Sequence, residues 1–344
     1  LSSSFGAVPP LTAGTDLPLA EAYDAALLDL DGVVYVGEAP VPHAAGALAA
    51  ARSAGMRLAF VTNNASRPPT AVAEHLVALG VPARADEVAT SAQAAARVLA
   101  GLLPAGSAVL VVGGQGLEQA VAERGLRPVR SADDDPAAVV QGYDPSVGWR
   151  QLAEATFAVR RGLPWVASNT DLTLPTPRGI APGNGTLVQV VRLATGAEPL
   201  VAGKPELALH RESAERVDAR RPLVVGDRLD TDILGATRAG TDSLLVLTGV
   251  TAPAELLHAP PDRRPTYLAE DLQGLLHPAR PIEVLDGGAW GLGGWRGRVV
   301  SGRLEVIGSG TRVDGLRVAC VASWAAGGGH DPADALLRLA TAAH

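Results

Sequence analysis

The stretch AALLDLDGVVY, residues 25–35, runs four apolar residues into two aspartates set two positions apart, with a glycine behind them. In an extended strand, residues i and i+2 face the same way, about 7 Å apart. Asp29 and Asp31 are thus expected to project together from the mouth of a sheet, with Gly32 letting the chain turn away. Two carboxylates so placed can share a cation and divide the work of nucleophile and acid/base. Aspartate and glycine are also common in strand-ending turns, so the stretch needs support from the rest of the chain.

The order of elements gives part of that support. AALL is expected as a buried strand, and VPHAAGALAAARSAGM (41–56) as a helix ending near Gly55. RLAFVTNNAS (57–66) reads as a second strand stopping at a polar cluster, and TAVAEHLVALG (70–80) as a second helix. Strands that end in polar residues and alternate with helices are the pattern of a parallel α/β sheet, whose ligands bind at the carboxyl ends of the strands. From about residue 86 the rhythm restarts. SAVLVVGGQGLEQAVAERG (107–125) predicts strand, glycine turn and helix; AAVVQGYD (137–144) and LPWVASNTD (163–171) predict strands; GTLVQVVRLATG (185–196) predicts a helix closing on Gly196. RPLVVGD (221–227) and DSLLVLTGV (242–250) return to buried strands. Past HPARP (277–281) the chain turns glycine-rich with short strands, and DPADALLRLATAA (331–343) reads as helix. Trp290, Trp295 and Trp324 suggest that this last part has a small core of its own. The expected organisation is a loose leader (1–20), a discontinuous α/β core (21–85 and 200–278), an inserted α/β unit (86–199) and a C-terminal extension (281–344).

Composition narrows the function classes. At 344 residues and 47% hydrophobic, the chain exceeds the roughly 100–200 residues of one domain and can fill more than one core. A net charge of −7 without a Lys/Arg-rich segment argues against nucleic acid and anionic membrane as partners. No apolar run approaches the roughly 20 residues of a membrane span. LSSSFGAVPPLTAGTDLPLAEA (1–22) has neither the basic nor the apolar region of a signal peptide. Cys320 stands alone, which excludes an intrachain disulfide and a thiolate metal cluster. The expectation is a soluble, cytoplasmic protein, with homo-oligomerisation left open. Lys204 is the single lysine among 29 Lys and Arg residues. Its retention in so arginine-biased a chain points to a place that guanidinium does not fit, with chance as the alternative.

Three further stretches join the opening one. VVGDRLDTD (224–232) sets Asp227, Asp230 and Asp232 just beyond an apolar strand. Mg²⁺ prefers hard oxygen ligands and keeps several waters, so Asp29, Asp227 and a carbonyl would make a partial cage, with Asp232 behind it or bound through water. FVTNNAS (60–66) offers Thr62 and the following amides to phosphoryl oxygens. In AGKPEL (202–207), Pro205 is expected as a first helical residue, which sets Lys204 at a helix N-terminus, a place that favours anions.

LLDLDGVVY, FVTNNAS, AGKP and VVGDRLDTDI, in this order, resemble the four motifs of the haloacid dehalogenase-like hydrolase superfamily. The insert ending SNTDLTLPTPRGIAPGNGTL (168–187) is similar to the C2-type cap of its NagD-like phosphatase branch. The resemblance covers residues 24–278 and implies a doubly wound parallel-sheet core with an α/β cap. It also implies a Mg²⁺-dependent phosphatase that acts on small phosphate monoesters through an aspartyl-phosphate. Asp29 would be the nucleophile and Asp31 the acid/base. Thr62, the Asn63 amide and Lys204 would hold the phosphoryl group. Asp29, the Asp31 carbonyl and Asp227 would bind Mg²⁺, supported by Asp232. In the cap, Asn169, Asp171 and the loop of Thr173, Leu174 and Pro175 would select the leaving group. SAQAAARVLAG (91–101), VVQGYDPSVGW (139–149) and GDRLDTDILGA (226–236) further resemble actinobacterial glycerol 3-phosphate phosphatases, which carry an acetyltransferase-like extension. Glycerol 3-phosphate is therefore the expected substrate, with phosphoglycolate, nitrophenyl phosphates and nucleotides as alternatives.

Other features carry blander readings. GGQG (113–116) suggests a dinucleotide loop, but Gln119 stands where a third Gly or Ala belongs, and a simple turn is the better expectation. ADDDP (132–136) reads as a solvated helix entry, and Arg228 as a partner of neighbouring acids. His43 needs no catalytic role. A phospho-accepting receiver module also uses acids, Thr and Lys on a parallel sheet, but its acceptor Asp follows a later strand. The extension lacks a coenzyme A loop and is expected to be a stabilising or oligomer-forming module whose removal leaves a phosphatase.

Overall fold

The computed structural model describes residues 10–176 and 178–341. It divides into two compact units, residues 1–58 with 219–344, and residues 59–218. Residues 58 and 59 are neighbours in one strand, Arg57–Thr62.

In the first unit, Ala25–Asp29 pairs in parallel with Pro222–Gly226, with Leu27 opposite Val224 and Leu28 opposite Val225. Pro222–Gly226 pairs with Asp242–Val246, and that strand with Tyr267–Ala269, again in parallel. Four apolar residues in a row suit a strand covered on both faces, and Ala25–Leu28 are all buried. Ala44–Ser53 forms the expected helix, and Gly55 turns the chain at φ 99°. The extension is an antiparallel meander, Glu283–Leu285, Ala289–Leu292, Trp295–Val300 and Arg303–Gly308, followed by helices Arg312–Ala325 and Ala333–Ala340.

Two expectations for this unit are corrected. The first nine residues lie outside the described residues, but from Pro10 the leader is packed rather than loose. Leu11 is fully buried and its N–H donates to the Thr266 carbonyl at 3.1 Å, while Pro18 bridges Pro278. Single apolar anchors such as Leu11 leave no periodic signature in the sequence, yet each contributes about 1.5–3 kcal/mol when buried. The tryptophans also do not define a separate small core. Trp295, Leu316 and Val318 share one buried cluster with Leu11 and with Leu229, Ile233, Leu256 and Leu257 of the parallel-sheet part. From Asp314 to Ser323 every residue of the extension's long helix is buried, as expected of a helix surrounded by partners.

In the second unit, Phe60–Thr62 pairs in parallel with Val88–Thr90. A five-stranded parallel sheet follows, in the order Leu200–Val201, Trp165–Ala167, Ala138–Gln141, Ala108–Val112, Arg127–Val129. Helices Gln115–Glu123, Trp149–Arg160 and Asn184–Thr195 connect these strands, the last closing on Gly196 at φ 74°. GGQG is the turn into helix Gln115–Glu123, and ADDDP is a short 3₁₀ turn capped by Ser131. The parallel α/β class expected from the sequence is thus observed in both units.

Candidate active site

Asp29 ends one strand and Asp227 lies one residue past the end of the parallel strand beside it, Leu28 standing opposite Val225, and neighbouring strands run about 4.8 Å apart. Asp232 comes from the π-helical turn Leu229–Ile233 that follows directly. One carboxylate oxygen from each of Asp29, Asp227 and Asp232 lies within 4.8 Å of the others; Asp227 and Asp232 are buried and Asp29 half-buried. The seat is built of glycines. A Cβ on Gly32 or Gly249 would strike the Asp227 carboxylate, and one on Gly226 would strike Asp232. Gly32 also adopts φ 84°, the left-handed region that favours glycine. The Val250 N–H donates to Asp227 Oδ2 at 2.6 Å, and the Arg228 N–H to Asp232 Oδ2 at 3.2 Å. Three ionised carboxylates this close repel by at least about 3 kcal/mol per pair at an effective dielectric of 20. A hard divalent cation relieves that repulsion, and an all-oxygen set suits Mg²⁺. Arg228 pairs with Asp230 at 2.9 Å, as expected, and so stays with the outer acid. Asp31 has an exposed side chain and is not one of the three clustered acids.

The second unit gathers the other candidates. Thr62 ends its strand nearly buried, and its Oγ1 accepts the Asn64 N–H at 3.0 Å. The Asn63 side chain grips the backbone of Lys204 twice: its Oδ1 accepts the Lys204 N–H at 2.8 Å, and its Nδ2 donates to the Lys204 carbonyl at 3.2 Å. Asn63 Nδ2 also donates to Asp171 Oδ2 at 3.1 Å. Asn169 Nδ2 donates to the Asn63 carbonyl at 2.7 Å, and Asn169 Oδ1 accepts the Asp171 N–H at 3.1 Å. Asn63, Asn169, Asp171 and Lys204 therefore form one polar network, although 141 positions separate Asn63 from Lys204. Gly203 permits this approach, since a Cβ there would strike the Ser168 carbonyl and Asn63 Oδ1.

Two expectations change here. Pro205 is not a first helical residue; the helix is Leu207–Arg216, capped at Glu206, so Lys204 sits in the loop before it. Asn63 fixes this loop in place of a helix start. Thr173–Pro175 is not a loop but part of an antiparallel hairpin, Thr173–Thr176 with Gly179–Pro182. Thr173 is exposed and Leu174 half-buried, while the Pro175 side chain lies outside what is described. Sequence reading missed Ser91, whose Oγ donates to the Asn63 carbonyl at 2.6 Å, and Asn184, whose Nδ2 donates to the Asn169 carbonyl at 2.7 Å. It also missed Gly249. Only the tertiary fold brings these residues to their partners.

Residues 26–127 match the model of the haloacid dehalogenase-like hydrolases, residues 201–275 a HAD-hydrolase-like model, and residues 292–342 a GCN5-related N-acetyltransferase-like domain. A D-glycerol 3-phosphate phosphatase of Mycobacterium tuberculosis is 50% identical over 272 residues, 79% of this chain and 76% of that protein. An acid sugar phosphatase of Staphylococcus saprophyticus is 37% identical over 256 residues, 74% of this chain and 97% of that one. Among solved structures, a glycerol phosphate phosphatase of Mycobacterium tuberculosis in complex with magnesium superposes with a TM-score of 0.85 at 46% identity, covering 94% of this chain and 98% of that chain.

Proposed function

The chain belongs to the haloacid dehalogenase-like hydrolase family and is a phosphoric monoester hydrolase, and from that premise we propose that it hydrolyses glycerol 3-phosphate to glycerol and phosphate. The observation that carries the mechanism is the seat of Asp29 and Asp227 at adjacent strand ends with Asp232 from the turn that follows. Similarity to a relative named for D-glycerol 3-phosphate supports the substrate.

In this reading Asp29 attacks phosphorus and forms an aspartyl-phosphate. Asp31 protonates the departing alkoxide, then takes a proton from the water that breaks the acyl phosphate. The exposed side chain of Asp31, outside the acid cluster, suits a group that must exchange protons. Thr62, the Asn63 amide and Lys204 hold the phosphoryl oxygens. Asp29, the Asp31 carbonyl and Asp227 would hold Mg²⁺, with Asp232 in support; when bound, the ion neutralises charge on the phosphoryl group. Residues 86–199 act as the cap over a core formed by 21–85 and 200–278. Within it Asn169, Asp171, Thr173, Leu174 and Pro175 bear on the choice of leaving group. Among the described residues no helix is long and apolar enough to cross a membrane, and the cytoplasmic location expected from the sequence is part of the same proposal.

The test is Mg²⁺-dependent phosphate release. Asp29→Asn should abolish it, and turnover near wild type would refute the mechanism. Asp31→Asn should slow it severely with glycerol 3-phosphate and less with an aryl phosphate, whose good leaving group needs less proton help in the first step. Across a panel with phosphoglycolate, pyridoxal phosphate and nucleotides, glycerol 3-phosphate should show the highest kcat/KM. A nucleotide preferred by about tenfold would overturn the substrate and leave the mechanism standing.

A further inference from the structure

The acid turn and the extension share one buried core. Leu229 and Ile233 are the first and last residues of the π-helical turn that carries Asp232, and they are 3% and 0% exposed. Both belong to the buried cluster that includes Leu11, Trp295, Leu316, Val318 and Val321. Polar contacts fix the long helix of the extension in register with this cluster. Ser323 Oγ donates to the Leu257 carbonyl at 2.7 Å, and Trp324 Nε1 to the Leu256 carbonyl at 3.2 Å. Arg317, itself buried, donates to the carbonyls of Leu11 at 3.1 Å and Arg280 at 2.7 Å.

The turn is also held by its chain neighbours: it packs on strand Pro222–Gly226 and runs directly into helix Leu234–Ala239. Its helical geometry is one π-turn, bonded through the Asp232 and Ile233 N–H groups to the Arg228 carbonyl. A carboxylate that must stay within ligand distance of two others needs its supporting backbone held to a few tenths of an ångström. Gly226 brings the sheet backbone close against Asp232 from one side, and the apolar side chains at the two ends of the turn tie it to the buried cluster on the other.

We infer that the extension is a positioning element of the acid cluster: the helix Arg312–Ala325 and the anchor Leu11 hold Leu229 and Ile233, and thereby fix Asp232 beside Asp29 and Asp227. Leu11 and Ile233 are positioning residues and touch no reacting atom. The inference rests on the reading of the three acids as a divalent-cation site, and it gives an acetyltransferase-like module a role in phosphate ester hydrolysis without any acetyl transfer.

The experiment measures Mg²⁺ and Ca²⁺ binding by the full chain by titration calorimetry, without substrate. The variants are Leu11→Ala, Ile233→Val and, for comparison, Val159→Ala, which deletes methyl groups in the separate core of the other unit. Leu11→Ala and Ile233→Val should weaken cation binding by about tenfold, the low end of what groups behind metal ligands contribute. Val159→Ala should lower the melting temperature and leave cation affinity within about twofold of wild type. Leu11→Ile should restore the affinity that Leu11→Ala loses. Unchanged affinity in folded Leu11→Ala and Ile233→Val, or an equal loss in Val159→Ala, would overturn the inference while leaving the cation site intact. No cation binding by the wild-type chain would instead overturn the cation site, and this inference with it.

Discussion

The side chain of Lys204 extends from a backbone that one asparagine holds on both sides, through its N–H and its carbonyl. Lys204 is 5% exposed, and the preceding Gly203 has no space for even a Cβ. The stem of this residue therefore cannot shift to accommodate a different head group. Ammonium is a compact point charge and guanidinium a wide planar fork. Lys204→Arg should keep the charge and still lose about 100-fold in kcat/KM, the loss expected when reacting atoms are misplaced by about 1 Å. Kinetics of wild type, Lys204→Arg and Lys204→Ala, with folding checked by circular dichroism, decide it; an arginine variant near wild type would make the lone lysine an accident of drift. The residues that sequence reading found here are those whose chemistry shows locally. Asp29 and Asp31 stand two apart, and Asp227 and Asp232 lie in one short acidic stretch behind an apolar strand. Ser91 and Asn184 were invisible because a hydroxyl or an amide declares no partner until the fold supplies it.

Among the elements, two clusters of charge hold the strands and helices that carry the site. At the start of the parallel strands, Asp24 accepts the N–H groups of Arg220 and Arg221 at 2.8 and 2.9 Å and pairs with Arg57 at 2.8 Å. Burial raises the carboxyl's pKa, but those two amides and the Arg57 charge outweigh it and hold the carboxyl below its ordinary value. A pKa depressed by folding contributes stability that is present above the unfolded value of about 3.9 and is lost as pH falls through the folded value. Asp24→Asn should therefore be less stable than wild type at neutral pH, and the gap in melting temperature should begin to narrow below about pH 5 and close only once pH has fallen through the depressed folded value. A gap that does not change with pH would refute this role. In the other unit, Glu212 on helix Leu207–Arg216 is 3% exposed and pairs with Arg97, Arg124 and Arg216 at 3.3, 2.8 and 2.8 Å. Glu212→Ala leaves three arginines facing one another. It should cost about 3 kcal/mol in urea unfolding, the low end for losing one partner of a buried pair, because the arginines keep part of their solvent. A loss within error of zero would show that water already screens the cluster. The strands that feed these clusters were legible as apolar runs. The helices Trp149–Arg160 and Arg312–Ala325 were not: the first buries a face made largely of alanine, Leu152, Ala155, Ala158 and Val159, while exposing Trp149 and Phe157, and the second is buried on every side along its centre and so has no polar face.

For the whole molecule, the extension decides how much of the chain is needed. A change in composition at residue 281 and three tryptophans beyond it suggested a separable module, and a separable module can be cut away. Composition could not reveal that Leu11, from the other end of the chain, and Leu229 and Ile233, from the acid turn, complete the extension's core. Ending the chain after Pro278 removes Trp295, Leu316 and Val318 from that cluster and takes away Arg317, which binds the Leu11 carbonyl. Re-exposing even half the area of Leu11, Leu229, Ile233, Leu256 and Leu257 costs roughly 4–8 kcal/mol, at about 1.5–3 kcal/mol for each fully buried side chain. That is comparable with the entire stability of a typical domain, about 5–15 kcal/mol. The truncated chain should therefore be insoluble or melt far below the full chain, even though all the proposed catalytic residues precede the cut. Soluble yield and thermal unfolding of the two chains, compared side by side, are the measurement. If the truncated chain melted with the full one, the shared cluster would be a contact without energetic weight, and the extension would be the removable module that composition suggests.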